Sequence, residues 1–186
     1  AGLARRFGVD ESHADHVRAT ALAILQGAGD GWSELAADTT CRQLLIWAAQ
    51  LHEIGLFVAH GSYHKHGEYL VRNGDLHGFS QLDQRMLAAL VRLHRGKFRQ
   101  SVLDDVPDTW REPLSRLAII LRLAVILRRG RSADAIPPIT IKASGDQVTV
   151  DFDAAWLDDH ALTRAGLDRE QGSLKQAGYK LRVRER

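Results

Sequence analysis

Residues 117–127 are apolar at every position except Arg122. The stretch is too short to cross a bilayer, which takes about 20 apolar residues, so it reads as a helix buried inside protein. A helix apolar on every face needs other helices packed around it, and the sequence supplies them. Val17, Ala21, Ile24 and Leu25 recur at helical spacing, and the glycine-rich stretch 27–31 ends that first helix. Thr39 or Thr40 can cap a second helix running through Ile54, with Leu44, Leu45, Trp47, Ala48 and Leu51 distributed around it. A third spans 62–73, closed by Asn73 and Gly74, and Ser80 caps a fourth bearing Leu82, Met86, Leu87, Leu90 and Val91. The fifth, placed at 113–129, contains the apolar stretch.

The pattern then changes. Pro137 and Pro138 end the helical region, 139–143 alternates, 144–147 is a turn, and 148–152 alternates again, which is a hairpin. A helical stretch follows at 157–177, and 179–184 alternates as a third strand. An isolated hairpin is marginal in water, so the tail is expected to pack its helix on a three-stranded antiparallel sheet in β-β-α-β order. The chain therefore reads as mainly α, with a helical domain at 1–133 and a small C-terminal α+β domain at 134–186.

With 186 residues, 45% apolar and 26% charged, the chain has the composition of a globular protein, and its formal charge of +2 permits acidic partners without implying nucleic acid. A single cysteine, Cys41, excludes an internal disulfide and fits a reducing cytoplasm. The opening residues lack an apolar signal region, and no stable membrane insertion is expected. The chain starts without Met, directly in a helical pattern, and is read as a piece of a longer protein.

Histidines and one glutamate carry the chemistry. His13 lies four residues before Val17, His52 and Glu53 end the second helix, His66 lies near the start of the third with His60 and His64, and His94 closes the fourth. Imidazoles and a carboxylate drawn from several helices can bind a divalent metal within a bundle. A polar core network is the other reading of His52 and Glu53, since a buried glutamate needs a partner. The order resembles the HD phosphohydrolase superfamily, which implies an HD-like helical bundle. In that likeness His13, His52 and Glu53 take the first three ligand positions, with Glu53 where the superfamily has aspartate. His66 and His94 suit the optional ones. The last ligand, an aspartate in the superfamily, falls at Val125, which cannot bind a metal, so the set reads as a degenerate metal site. Arg122, three residues earlier on the same face, is the expected charge partner of Glu53 in place of the metal. Val125→Asp would then restore metal binding.

Longer blocks narrow the likeness. Residues 44–56, ending Leu-His-Glu-Ile-Gly-Leu, then 64–70, 78–81, 90–95 and 121–127 are similar in order and spacing to the C-terminal half of the exopolyphosphatase/guanosine pentaphosphate phosphatase (Ppx/GppA) family, over essentially the whole chain. The resemblance implies catalysis in two N-terminal domains with glycine-rich phosphate loops and Mg²⁺. This chain has no such loop. No catalytic residue and no cofactor are expected within it. The resemblance implies an accessory region that helps bind inorganic polyphosphate, contacts the N-terminal catalytic domains, and contributes to a homodimer.

Two basic runs suit a polyanion: Arg92, His94, Arg95, Lys97 and Arg99 after the fourth helix, and Arg128, Arg129 and Arg131 after the fifth. Cations near helix C-termini also complement the helix dipole, so a merely solvated face is the plain alternative. The basic residues of 180–186 are read as blunting an edge strand. Three readings stand at this point: the accessory region of an exopolyphosphatase, an autonomous metal-dependent HD phosphohydrolase acting on a nucleotide or phosphate ester, and an HD-like regulatory interaction module.

Overall fold

The computed structural model describes residues 2–28, 30–131, 136 and 139–186. The boundary expected at 133/134 and the helix-ending Pro137 and Pro138 lie outside the described residues. A short helix α1 (Gly2–Arg6) leads into α2 (Glu11–Gly27), whose N-cap Asp10 accepts from the His13 backbone N–H at 3.0 Å. After a 3-10 turn at Asp30–Trp32 come α3 (Ser33–Ala37) and α4 (Thr39–Leu51). The cap of α4 is Asp38, which accepts from the N–H groups of both Thr40 and Cys41, and not a threonine. This helix stops at Leu51, short of the expected Ile54. The chain then tightens into a 3-10 turn at Ile54–Phe57, which places His52 and Glu53 at the junction.

Helices α5 (Tyr63–Asn73) and α6 (Gln81–Leu93) form a hairpin, and α6 carries the expected Ser80 cap with a reciprocal bond from Asp83. The buried helix is α7 (Asp108–Leu127), and residues 117–121, 123 and 124 are all buried. It begins five residues before the expected Pro113. Pro107 supplies the N-terminal stop, and Pro113 is carried inside the helix.

Strands β1 (Thr140–Ser144) and β2 (Gln147–Phe152) form the hairpin, and α8 (Ala154–Asp159), α9 (Ala161–Gln176) and β3 (Lys180–Glu185) follow. The expected single helix at 157–177 is thus two helices, broken at His160. The sheet order is β1-β2-β3. β3 runs parallel to β2, in register from Gln147↔Lys180 to Phe152↔Glu185, so the sheet is mixed and not wholly antiparallel. The helical crossover between β2 and β3 explains this, because it carries the chain back to the end from which β2 started. The sheet docks on the end of α2: Ala143 N–H donates to Ala28 O at 3.0 Å, and Trp32 Nε1 donates to Gly145 O at 3.1 Å. One apolar cluster joins the two parts, from Ala4 in α1 to Leu181 in β3. Among the described residues no helix is long and apolar enough to cross a membrane.

Candidate functional site

The expected ligands converge in part. His13 on α2 and His52 and Glu53 after α4 each offer an atom within 4.8 Å of the others. Their rings form part of a row: His13 to His52 at 5.7 Å, His52 to His94 at 5.4 Å, and His94 to His64 at 6.4 Å between centroids. His66 is half-buried on α5 and makes no bond or ring contact with the row among the described residues.

Local structure explains why His52 and His94 point inward. Each is the C-cap of an apolar helix, and each ring donates from Nδ1 to the carbonyl three residues back: Ala49 O at 2.7 Å and Val91 O at 2.6 Å. These bonds satisfy helix-end carbonyls and fix the tautomer, leaving a lone pair on each Nε2. Among the described residues neither buried Nε2 atom has a hydrogen-bond partner, nor does Nδ1 of His13 or of His64. Burial holds the pKa of His52 down to about 4, and that of His64 likewise, with Arg92 and Arg95 adding to the effect. Burial, then the neighbouring His52, puts His94 well below the ordinary value. His13 is lowered by burial and by Arg131, against an upward pull from Glu53. The row is therefore neutral at pH 7.

Glu53 is not paired with Arg122. Its carboxylate accepts from Arg131 Nη2 at 2.6 Å, while the other guanidinium nitrogen of Arg131 donates to Asp10 at 3.1 Å. Arg122 is engaged elsewhere. Its Nε and Nη2 donate to Glu170 of α9 at 2.5 and 2.8 Å, Nη1 donates to Leu93 O at 2.6 Å, and Nη2 also reaches Gly96 O at 2.8 Å. The guanidinium is a buried bolt between α7, α9 and the loop after α6, and that fork-on-fork geometry leaves it no freedom to reach Glu53.

A metal ion does not fit this donor set as it stands. Two histidines and one carboxylate are present, but that carboxylate already holds a fixed cation, and Val125 offers no ligand atom.

Over the row opens a cleft of about 800 Å³ between the bundle and α9. His13, Glu53, Tyr63 and His94 lie on its wall, as does Val125. Of the basic residues expected to meet a polyanion, Arg95, Lys97, Arg129 and Arg131 line it together with His94. The others do not: Arg92 is paired with Glu68 at 3.1 Å, Arg128 donates to Thr20 Oγ1 at 2.9 Å, and Arg99 precedes the 3-10 turn at Gln100–Leu103. Arg169 of α9 lines the cleft and escaped the sequence reading. A signal existed for its neighbour Glu170, the partner of Arg122. Leu167, Glu170 and Leu174 share one helical face, so Glu170 is a carboxylate in an apolar row and marks α9 as facing a buried cation.

Among the described residues, Arg95, Lys97, Arg129 and Arg169 have no carboxylate within ion-pair distance, whereas Glu53 and Glu170 are each bound to an arginine. Arg95 lies over the Tyr63 ring at 4.3 Å. The cleft thus presents spare positive charge over a neutral, buried floor.

Comparison with known proteins agrees with a phosphatase-associated fold. The chain belongs to the Ppx/GppA phosphatase family, matching the family model for Ppx/GppA phosphatase, domain III, over residues 1–171. It is similar to the guanosine-5'-triphosphate,3'-diphosphate pyrophosphatases of Pseudoalteromonas translucida and Aeromonas hydrophila, each 31% identical over 183 residues. That of Aeromonas salmonicida is 29% identical over 179 residues. These alignments cover 98, 98 and 96% of this chain, yet the chain spans only 36% of each relative's length.

Proposed function

We propose that this chain is a non-catalytic accessory domain of a Ppx/GppA phosphatase that binds inorganic polyphosphate along the cleft. Catalysis and its Mg²⁺ then belong to N-terminal domains of the same cytoplasmic protein, which works as a homodimer. One observation carries the reading: four cations, Arg95, Lys97, Arg129 and Arg169, face one cleft without carboxylate partners among the described residues. An extended phosphate chain could neutralise them together, and no single one of them has to be deeply buried for that. The alternative of an autonomous metal-dependent phosphohydrolase is disfavoured by the Arg131–Glu53 pair and by Val125.

The test is a titration of the purified chain with labelled polyphosphate at rising salt. Affinity should fall steeply with salt, because bound counterions are released from the polyanion. Arg169→Ala and Arg129→Ala should each weaken binding about tenfold, the loss of one charge-assisted hydrogen bond. Affinity that stays flat with salt, or is untouched by both substitutions, would refute the reading and leave a regulatory interaction module. Orthophosphate release by this chain with Mn²⁺ or Mg²⁺ would instead restore the phosphohydrolase. The relatives named above act, by name, on a guanosine polyphosphate. Competition of that nucleotide against polyphosphate asks which of the two the cleft prefers.

A further inference from the structure

We propose that Arg131 is the resident cation of a latent two-histidine, one-carboxylate site for a divalent transition metal, and that this arginine keeps the metal out. The inference does not depend on what the cleft binds.

The ligand atoms of His13, His52 and Glu53 lie within 4.8 Å of one another. Two ligands on a tetrahedral zinc are roughly 3.4 Å apart, so closing the site needs side-chain movements of about 1 Å. His52 is already held as a metal-bound imidazole is held, with Nδ1 donating to a backbone carbonyl and a bare lone pair on Nε2. His13 presents Nε2 to the same carboxylate, 3.9 Å from Glu53 Oε1. Access exists, since His13 and Glu53 both line the cleft.

Only Glu53 is occupied, and its occupant is placed by unusual backbone. Arg131 has φ 54°, a left-handed conformation rare for a residue with a Cβ. Its backbone N–H donates to Arg128 O at 3.0 Å, closing the turn after α7 and turning the side chain toward α2 and α4. Asp10 then steadies one guanidinium nitrogen while the other contacts Glu53 Oε1. A divalent ion bound to that oxygen would sit within a few ångströms of the guanidinium, and the two positive charges would repel. Arginine cannot relieve the conflict by losing its proton. Two imidazoles and one carboxylate suit Zn²⁺ better than Mg²⁺ or Ca²⁺.

Zn²⁺ titration by calorimetry, with thermal unfolding in Zn²⁺ against EDTA, tests this. The native chain should show no stoichiometric binding at micromolar Zn²⁺. Arg131→Ala and Arg131→Gln should each take up one Zn²⁺ at least tenfold more tightly than the native chain and unfold at a higher temperature with it. Adding His52→Ala to either should abolish the gain, whereas adding Val125→Asp, which puts a second carboxylate on the same cleft wall, should tighten it. If Arg131→Ala is unfolded without metal, Zn²⁺ should restore its helical circular dichroism. The proposal is overturned if both arginine variants titrate like the native chain, or if the native chain binds as tightly as they do. Binding that survives His52→Ala overturns it too, as does an unfolded variant that Zn²⁺ fails to rescue.

Discussion

Removing Arg122 should be among the most damaging single substitutions in this chain. Its side chain is 3% exposed and that of its partner Glu170 is 7% exposed, so the pair lies almost wholly out of water. Arg122→Ala leaves Glu170 charged and buried, and deprives the Leu93 and Gly96 carbonyls of a donor. Breaking one side of such a pair costs about 3–5 kcal/mol, a large share of the roughly 5–15 kcal/mol that holds a typical domain together. At about 2–4 °C per kcal/mol for a chain of this size, the midpoint should drop by about 6–20 °C. Urea unfolding followed by circular dichroism measures the loss directly, provided the slope against urea is unchanged. Glu170→Ala should cost a similar amount, since it strands the arginine. The paired change Arg122→Leu with Glu170→Leu should recover most of the loss, because neither charge then remains to be desolvated. The reasoning is refuted if Arg122→Ala costs under about 1 kcal/mol, or if the paired change is no better than either single one.

Two other expectations follow from the site. The folded-state pKa of His52 lies near 4 against an ordinary 6.5, and those of His13, His64 and His94 are also lowered. The unfolded chain thus binds protons first as pH falls, and stability should decline between pH 6.5 and about 4. The His52 share is on the order of 3 kcal/mol over the full window. Thermal midpoints from pH 7.5 to 5 check the sign, and His52→Asn should flatten the profile; a midpoint that rises on acidification contradicts the buried neutral row. At Gly55 an added Cβ would meet Tyr63 O at 1.9 Å and Gly67 N at 2.5 Å, both backbone atoms. Gly55→Ala should therefore cost about 3 kcal/mol or more by forcing the turn after Glu53 away from α5, and an unfolding midpoint within 2 °C of the native value would contradict that close approach.

What the sequence made legible was what periodicity and local chemistry encode. The apolar run 117–127 announced a buried α7, Ser80 announced the start of α6, and the alternation at 148–152 announced β2. Local rules misled where two signals competed. Pro113 looked like a first helical residue because proline favours that position, but Pro107 was the real stop. At α4 the carboxylate of Asp38 took the cap from two neighbouring threonines. The parallel pairing of β3 depends on where the crossover returns the chain, which no strand's own pattern records. The charge partners were illegible for a similar reason. Arg131 reaches Glu53 across 78 residues, through a left-handed turn that nothing in Arg-Gly-Arg demands. Helical spacing correctly put Arg122 and Val125 on one cleft-facing wall but could not tell which carboxylate would come to meet the arginine.

That two-way choice of partners lets a ligand-like set of residues hold its geometry on protein bonds alone. His52 and His94 are each kept in place by a bond to their own helix end, so their inward aim does not depend on a metal. Glu53 would be the costly member, a carboxylate only 10% exposed, and Arg131 removes that cost with a cation anchored in the chain itself. Because the side chain of Arg131 remains 46% exposed, the pair sits at the mouth of the cleft and not in the core. There it contributes little net charge, and the positive field that an incoming phosphate chain would meet comes from the four cations around it that have no carboxylate partner among the described residues. On the proposed reading, the His-Glu junction is the neutral floor of the cleft. If so, neutralising Glu53 by Glu53→Gln should leave Asp10 alone to compensate the Arg131 charge and so tighten polyphosphate binding, whereas a working metal ligand at that position would make the same change weaken it.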